Sequence, residues 1–211
     1  MIGARLAILT GLYVGVVCTA QISANKIVEL PWTDLAAPGG TYLIGLALAL
    51  IEVAHHTAPT RREGWLNAQL MIAMGFAASA ILAAWIAIVD AMDAARPSHF
   101  DELAGTWRIV VGSLAAFAVS ETIDNGMGAW MRGRFPDPVR VVTTNAVSIP
   151  IDSVVFLAVA FGSLAFIDGQ IVAKMAATIV LGIPIVLLLR HFLGRADVGG
   201  RADLDSEMAV E

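Results

Sequence analysis

Carboxylates set inside apolar stretches are the residues of this 211-residue chain best placed to do chemistry. Asp152 is the clearest: it follows Arg140 by twelve residues and precedes fifteen uncharged ones. If that stretch crosses a bilayer as a helix, Asp152 lies near the midplane. A charge there costs on the order of 3 kcal/mol on insertion scales, so a sequence avoids it unless a polar interior uses the group. Asn145 and Ser148 precede Asp152 by seven and four positions, which puts all three on one helical stripe. Glu121 and Asp124, three apart, share a face of the preceding apolar stretch. A plainer reading stands beside each. Asp152 can serve as interhelical hydrogen-bonding glue, and Glu121 and Asp124 can be solvated acids beyond a helix that stops at Ser120.

Further polar residues sit at the ends of such stretches. Glu52 closes one of them, either as a solvated cap or as a charge partner. Gln170 and Lys174 open the last one, and a lysine close to the outer interface is explained by snorkelling. Gln21 and Asn25 close the first, where a carboxamide either contacts a substrate or terminates a helix. Carboxylates accept hydrogen bonds, and carboxamides both donate and accept them. The chemistry on offer is recognition of a small polar molecule.

Bond-making chemistry lacks its signatures. There is no Gly-x-Ser-x-Gly elbow and no Walker phosphate loop, which argues against an esterase or a self-contained ATPase. His55 and His56 are adjacent, so on a helix they point to different faces, and no further ligand accompanies them. Cys18 is the single cysteine, which excludes a disulfide within the chain and a cysteine metal cluster. The expectation is a non-enzyme with no cofactor and no metal.

The elements that must hold these residues are membrane helices. Of all residues 58% are hydrophobic and only 15% charged. Mean hydropathy is +0.77. A soluble domain is nearer half apolar and a quarter charged. The charges cluster between long uncharged runs at 6–25, 35–51 and 64–89. A bilayer core needs roughly 20 helical residues to cross it. The reading is an all-α, polytopic bundle over 1–193 with six spans, at about 5–24, 38–54, 67–90, 107–131, 141–166 and 169–192. The second is short. The last three are interrupted by Glu121 and Asp124, by Asp152 and by Lys174. Residues 194–211 form a polar tail whose composition reads as disordered.

Assigning loops alternately to two sides places nine Arg on one side and four Lys or Arg on the other. The positive-inside rule makes the nine cytoplasmic, and with them both termini. Trp32, Trp65, Trp107 and Trp130 fall near span ends, where interfacial indoles belong. Pro150 and Pro184 fall inside spans, where kinks often flank a cavity. The first span lacks a basic cluster and a small-x-small site, so it reads as a retained helix and not as a signal peptide. No internal repeat supports an inverted-repeat carrier.

The stretch from Ser120 to Arg190 resembles the vitamin-uptake transporter (VUT) family, which includes the queuosine precursor transporters. The resemblance rests on Ser120-Glu121-x-x-Asp124, then Arg132 and Arg134, then Asn145-x-x-Ser148-x-x-x-Asp152-Ser153, with Phe156 and Ala160-Phe161-Gly162 following. Gly169-Gln170-x-x-x-Lys174 opens the last span in a similar way, and Ala24-Asn25-Lys26 and Pro38-Gly39-Gly40-Thr41-Tyr42 are weaker matches. One departure is in the second span, where Leu50-Ile51-Glu52-Val53-Ala54-His55-His56 keeps only the family's Glu.

The resemblance implies a multi-pass carrier in the inner (plasma) membrane that imports a 7-deazaguanine-type base for tRNA or DNA modification. Its partners would be the purine-like base and the lipid bilayer, not nucleic acid, and a homo-oligomer stays open. Asp152 and Glu121 are then the first candidates for substrate binding, followed by Asp124, Asn145, Ser148, Gln170 and Asn25, with Glu52 and Lys174 as coupling or charge partners. Two alternatives remain. One is a substrate-binding membrane subunit for a vitamin-like molecule that needs a separate ATP-driven module. The other is a structural or regulatory membrane protein without a substrate.

Overall fold

The computed structural model describes residues 2–58, 60–92, 103, 105–131, 134–135, 137–185 and 187–188. Within these, the side chains at 2–4, 52, 55–57, 61, 121–122, 124–126, 128–129, 137–138 and 140–141 lie outside the described set. The expectations for the side chains of Glu52, Glu121 and Asp124, and for the tail 194–211, therefore fall outside the described residues.

The described chain is an all-α bundle of six helices with one small hairpin. Helix α1 (Ile2–Ser23) leads into strands β1 (Ile27–Glu29) and β2 (Ala36–Pro38), a short 3-10 turn (Gly39–Leu43) and α2 (Ile44–Thr57). Then come α3 (Arg61–Met92), α4 (Thr106–Met131), α5 (Asp137–Phe161) and α6 (Ile167–Ala177), which continues through a π turn (Thr178–Gly182). Among the described residues, four segments are long and apolar enough to cross a membrane: Arg5–Ser23, Arg62–Met92, Val142–Phe161 and Ile167–Ile185. Gly39–Ile51 and Thr106–Ser120 are shorter apolar helices.

Outward faces are as apolar as the interior, with Ile8, Ile81, Trp85 and Val180 all exposed. A helix that is hydrophobic all round belongs in a protein core or in lipid. Inside, Tyr13, Leu50, Ile51 and Met71 join α1, α2 and α3, while Ile109, Ala116, Phe156 and Leu157 join α4 and α5. Small residues allow these approaches, as expected where lipid removes much of the hydrophobic drive. At Gly112 an added Cβ would sit 3.0 Å from that of Ala160 and 3.2 Å from the Phe156 carbonyl.

Helix ends depart from the expected spans for local reasons. Helix α5 stops at Phe161, short of 166, because Gly162 adopts φ +65°. A left-handed glycine just past the last turn is a common helix terminator. Pro150 sits within α5 without ending it. Pro184 lies two residues beyond the π turn, a wider winding suited to a proline that removes one backbone donor.

The hairpin pairs Ile27 with Pro38 and Glu29 with Ala36 in antiparallel register. Thr33 N–H donates to Leu30 O at 3.2 Å around a Pro31-Trp32 turn, with Trp32 at φ +62°. Its second strand is wedged into the bundle. A Cβ at Gly169 of α6 would overlap the Ala36 backbone, and one at Gly40 would overlap the Ala20 carbonyl of α1. The hairpin thereby pins the start of α6 beside the end of α1.

Candidate functional site

A cavity of about 110 Å³ lies where all six helices converge under this wedge. Most of its wall is apolar. Tyr13, Val17, Ala20, Gln21 and Ala24 come from one face of α1, at the offsets of four, seven, eight and eleven that helical spacing dictates. Phe76 and Phe117 form an edge-on pair with ring centroids 5.4 Å apart, and Phe156 adds a further ring. A wall of this kind, with few convergent polar groups, is the usual make-up of a small-molecule site.

The polar groups come from distant parts of the chain. Thr41 projects from the 3-10 turn, Gln21 from α1, Ser113 from α4, Asp152 from α5, and Gln170 and Lys174 from α6. Lys174 Nζ forms an ion pair with Asp152 Oδ2. Lys174 is 5% exposed, and its ammonium lies 5.8 Å from the Phe156 ring centroid.

Snorkelling to the outer interface is thus not what Lys174 does. Gly169 is packed on Ala36, so the hairpin occupies the way out along α6, and the opposite charge stands inside. Bringing an ion pair into a low-dielectric interior costs several kcal/mol per ion before the attraction offsets it.

Of the two carboxamides, one is paired and one is not. Ser113 Oγ donates to Gln21 Oε1 at 3.2 Å, and Gln21 is 4% exposed. Gln170 is 1% exposed, and its Oε1 has no hydrogen-bond partner among the described residues. A buried acceptor left unmade costs about 1–3 kcal/mol, which a donor on a bound molecule would recover after a turn of the amide.

Of the residues singled out from sequence, the fold brings Asp152, Gln170 and Lys174 to the cavity. Asn145 and Ser148 are buried on the same stripe of α5 but lie outside the cavity wall, toward the helix start. Asn25 is also outside it. Its Nδ2 donates to Thr106 Oγ1 at 3.0 Å and to the Ile22 carbonyl at 3.2 Å, tying the end of α1 to the start of α4. Tyr13, Thr41, Ser113 and the Phe76–Phe117 pair were not singled out from sequence. Gln21 was weighed there as either a substrate contact or a helix end, and the fold sets it in the cavity wall. Ser113 and Thr41 are ordinary polar residues of an apolar segment until folding sets them opposite a partner. Gln21 did carry a signal, as the carboxamide of the uncharged run 6–24 on the Tyr13–Val17 face.

Residues 46–189, more than half of the chain, match the family model described as "Putative vitamin uptake transporter". No curated protein and no solved structure matches the chain.

Proposed function

This chain belongs to the vitamin uptake transporter family, and from that membership we propose that it imports a 7-deazaguanine-type base, a queuosine precursor, for tRNA or DNA modification. Membership makes it a multi-pass membrane transporter of a small molecule, not an enzyme. The finer reading places it in the inner (plasma) membrane, with both termini in the cytoplasm by its arginine distribution.

The observation that carries the substrate class is the pairing of flat aromatic walls with the Asp152, Gln21 and Gln170 side chains in one cavity. A guanine-like base has two π faces and an edge of alternating donors and acceptors. Phe156 stacks on the ring in this reading, and Phe161, 5.8 Å away edge-on, buttresses it. Asp152 Oδ2 is engaged by Lys174, so the carboxylate offers Oδ1 to a substrate N–H. Bidentate recognition by both oxygens requires Lys174 to move aside. Gln170 adds an acceptor. Asn145 and Ser148 continue the polar stripe toward the cytoplasmic end and serve release. Asn25 keeps the mouth of the site in register through Thr106. Glu121 and Asp124, with Glu52, are assigned to coupling.

The test is expression in a bacterium lacking both queuosine synthesis and its own salvage transporter. The cells are supplied with a 7-deazaguanine precursor and their tRNA is assayed for queuosine. Queuosine in tRNA supports the reading and excludes dependence on a dedicated ATP-driven module absent from that host. Its absence, with the protein present in the membrane, counts against it.

A further inference from the structure

We infer that the Asp152 carboxylate and the face of Phe156 form a binding site for an ammonium group, which Lys174 fills from within the chain. The cavity thereby carries its own counter-ion, and no cation from solution has to enter beside Asp152. The site itself stands apart from the identity of the substrate; its bearing on transport rests on the uptake reading.

Proteins recognise an alkylammonium ion with two kinds of group. A carboxylate accepts its N–H donors, and an aromatic face attracts its charge. Here both surround one nitrogen. Lys174 Nζ donates to Asp152 Oδ2 and lies over the Phe156 ring, 5.8 Å from its centroid. Asp152 and Phe156 are four positions apart on α5, hence on one face, and Lys174 reaches them from α6.

Among the described residues that line the cavity, Asp152 and Lys174 carry the charges, one of each sign. The wall is therefore neutral as a whole only while the lysine stays in place. Lys174 is buried, whereas the Asp152 side chain keeps part of its surface open. Without the lysine, the carboxylate would stand unpaired in a mostly apolar void, where an isolated charge is costly. The same carboxylate and ring would then draw in a cation small enough to enter.

The experiment is thermal unfolding of full-length Lys174→Ala in lipid nanodiscs with n-propylammonium, which replaces the atoms that the substitution removes. The melting temperature should rise by about 2–4 °C as the amine is added. n-Propanol, alike in shape but uncharged, should not raise it. Nor should the amine raise that of the wild type or of the double variant Asp152→Asn with Lys174→Ala. If Lys174→Ala cannot be purified without a ligand, its monodisperse yield with the amine against propanol gives the same comparison. No response to the amine, or an equal response to propanol or in the wild type, overturns the proposal. Equilibrium binding of 7-deazaguanine in the same nanodiscs reads the bearing on transport. Lys174→Ala should bind it about tenfold more weakly than the wild type, and the amine should restore binding. Binding that does not fall, or a fall that the amine does not reverse, overturns the counter-ion role. Base binding by the wild type without an amine response in the variant overturns this inference alone. An amine response without base binding by the wild type counts against the uptake reading and leaves the ammonium site standing.

Discussion

Lys174 of α6 and Asp152 of α5 form an ion pair at the wall of the cavity, with the lysine buried and the carboxylate partly open to the void. Removing one partner strands the other. Lys174→Met should destabilise the protein by about 3 kcal/mol, and Asp152→Asn by a comparable amount. The double variant should cost clearly less than the two together, because no charge is then left unpaired. Thermal unfolding in one detergent, compared across the four proteins, checks this. Additive losses would mean that the two groups do not depend on each other.

Uptake separates the roles of the pair. Asp152→Asn retains size and one acceptor but loses the charge, and transport should fall by tenfold or more at normal membrane abundance. Asp152→Glu should recover part of it. Full uptake by Asp152→Asn would falsify the assignment of this carboxylate to the substrate.

Gly169 and Gly40 carry the wedge that closes the cavity. A methyl at Gly169 meets the Ala36 backbone, which cannot swing away as a side-chain tip would. Gly169→Ala should cost about 1–3 kcal/mol through overpacking and should lower transport by displacing Gln170. Gly15→Ala is the matched control, since nothing lies within 4 Å of a Cβ there. Equal effects of the two substitutions on melting temperature would contradict the wedge.

Trp32 occupies a left-handed position at the tip of the hairpin, where its side chain is fully exposed. A non-glycine residue there costs roughly 1–2 kcal/mol. Trp32→Gly should raise the melting temperature in detergent, while Trp32→Val should lower it. The same order in lipid would show that the indole adds little anchoring at the interface.

Energisation is also open to direct measurement. With Glu121 or Asp124 coupling protons to transport, uptake should collapse on adding an uncoupler, and Glu121→Gln should lose its dependence on the gradient. Uptake that persists at full rate with the gradient dissipated would mark facilitated diffusion.

Periodicity and charge alone determined that the chain is a bundle of apolar helices. The described chain is an all-α bundle because a bilayer-length run without charge has few other ways to satisfy its backbone. Asp152 was legible too, since fifteen uncharged residues after it leave no loop to hold it. Which groups meet was not legible. Lys174 is near the start of its helix by count, and only the packing of α6 against α5 shows that it turns inward to Asp152. Gln21 and Ser113 lie 92 positions apart, and neither type is unusual in its own helix. Spacing along one helix fixes which residues share a face. The partner across that face depends on how closely two backbones approach, and here single glycines at the contacts set that distance.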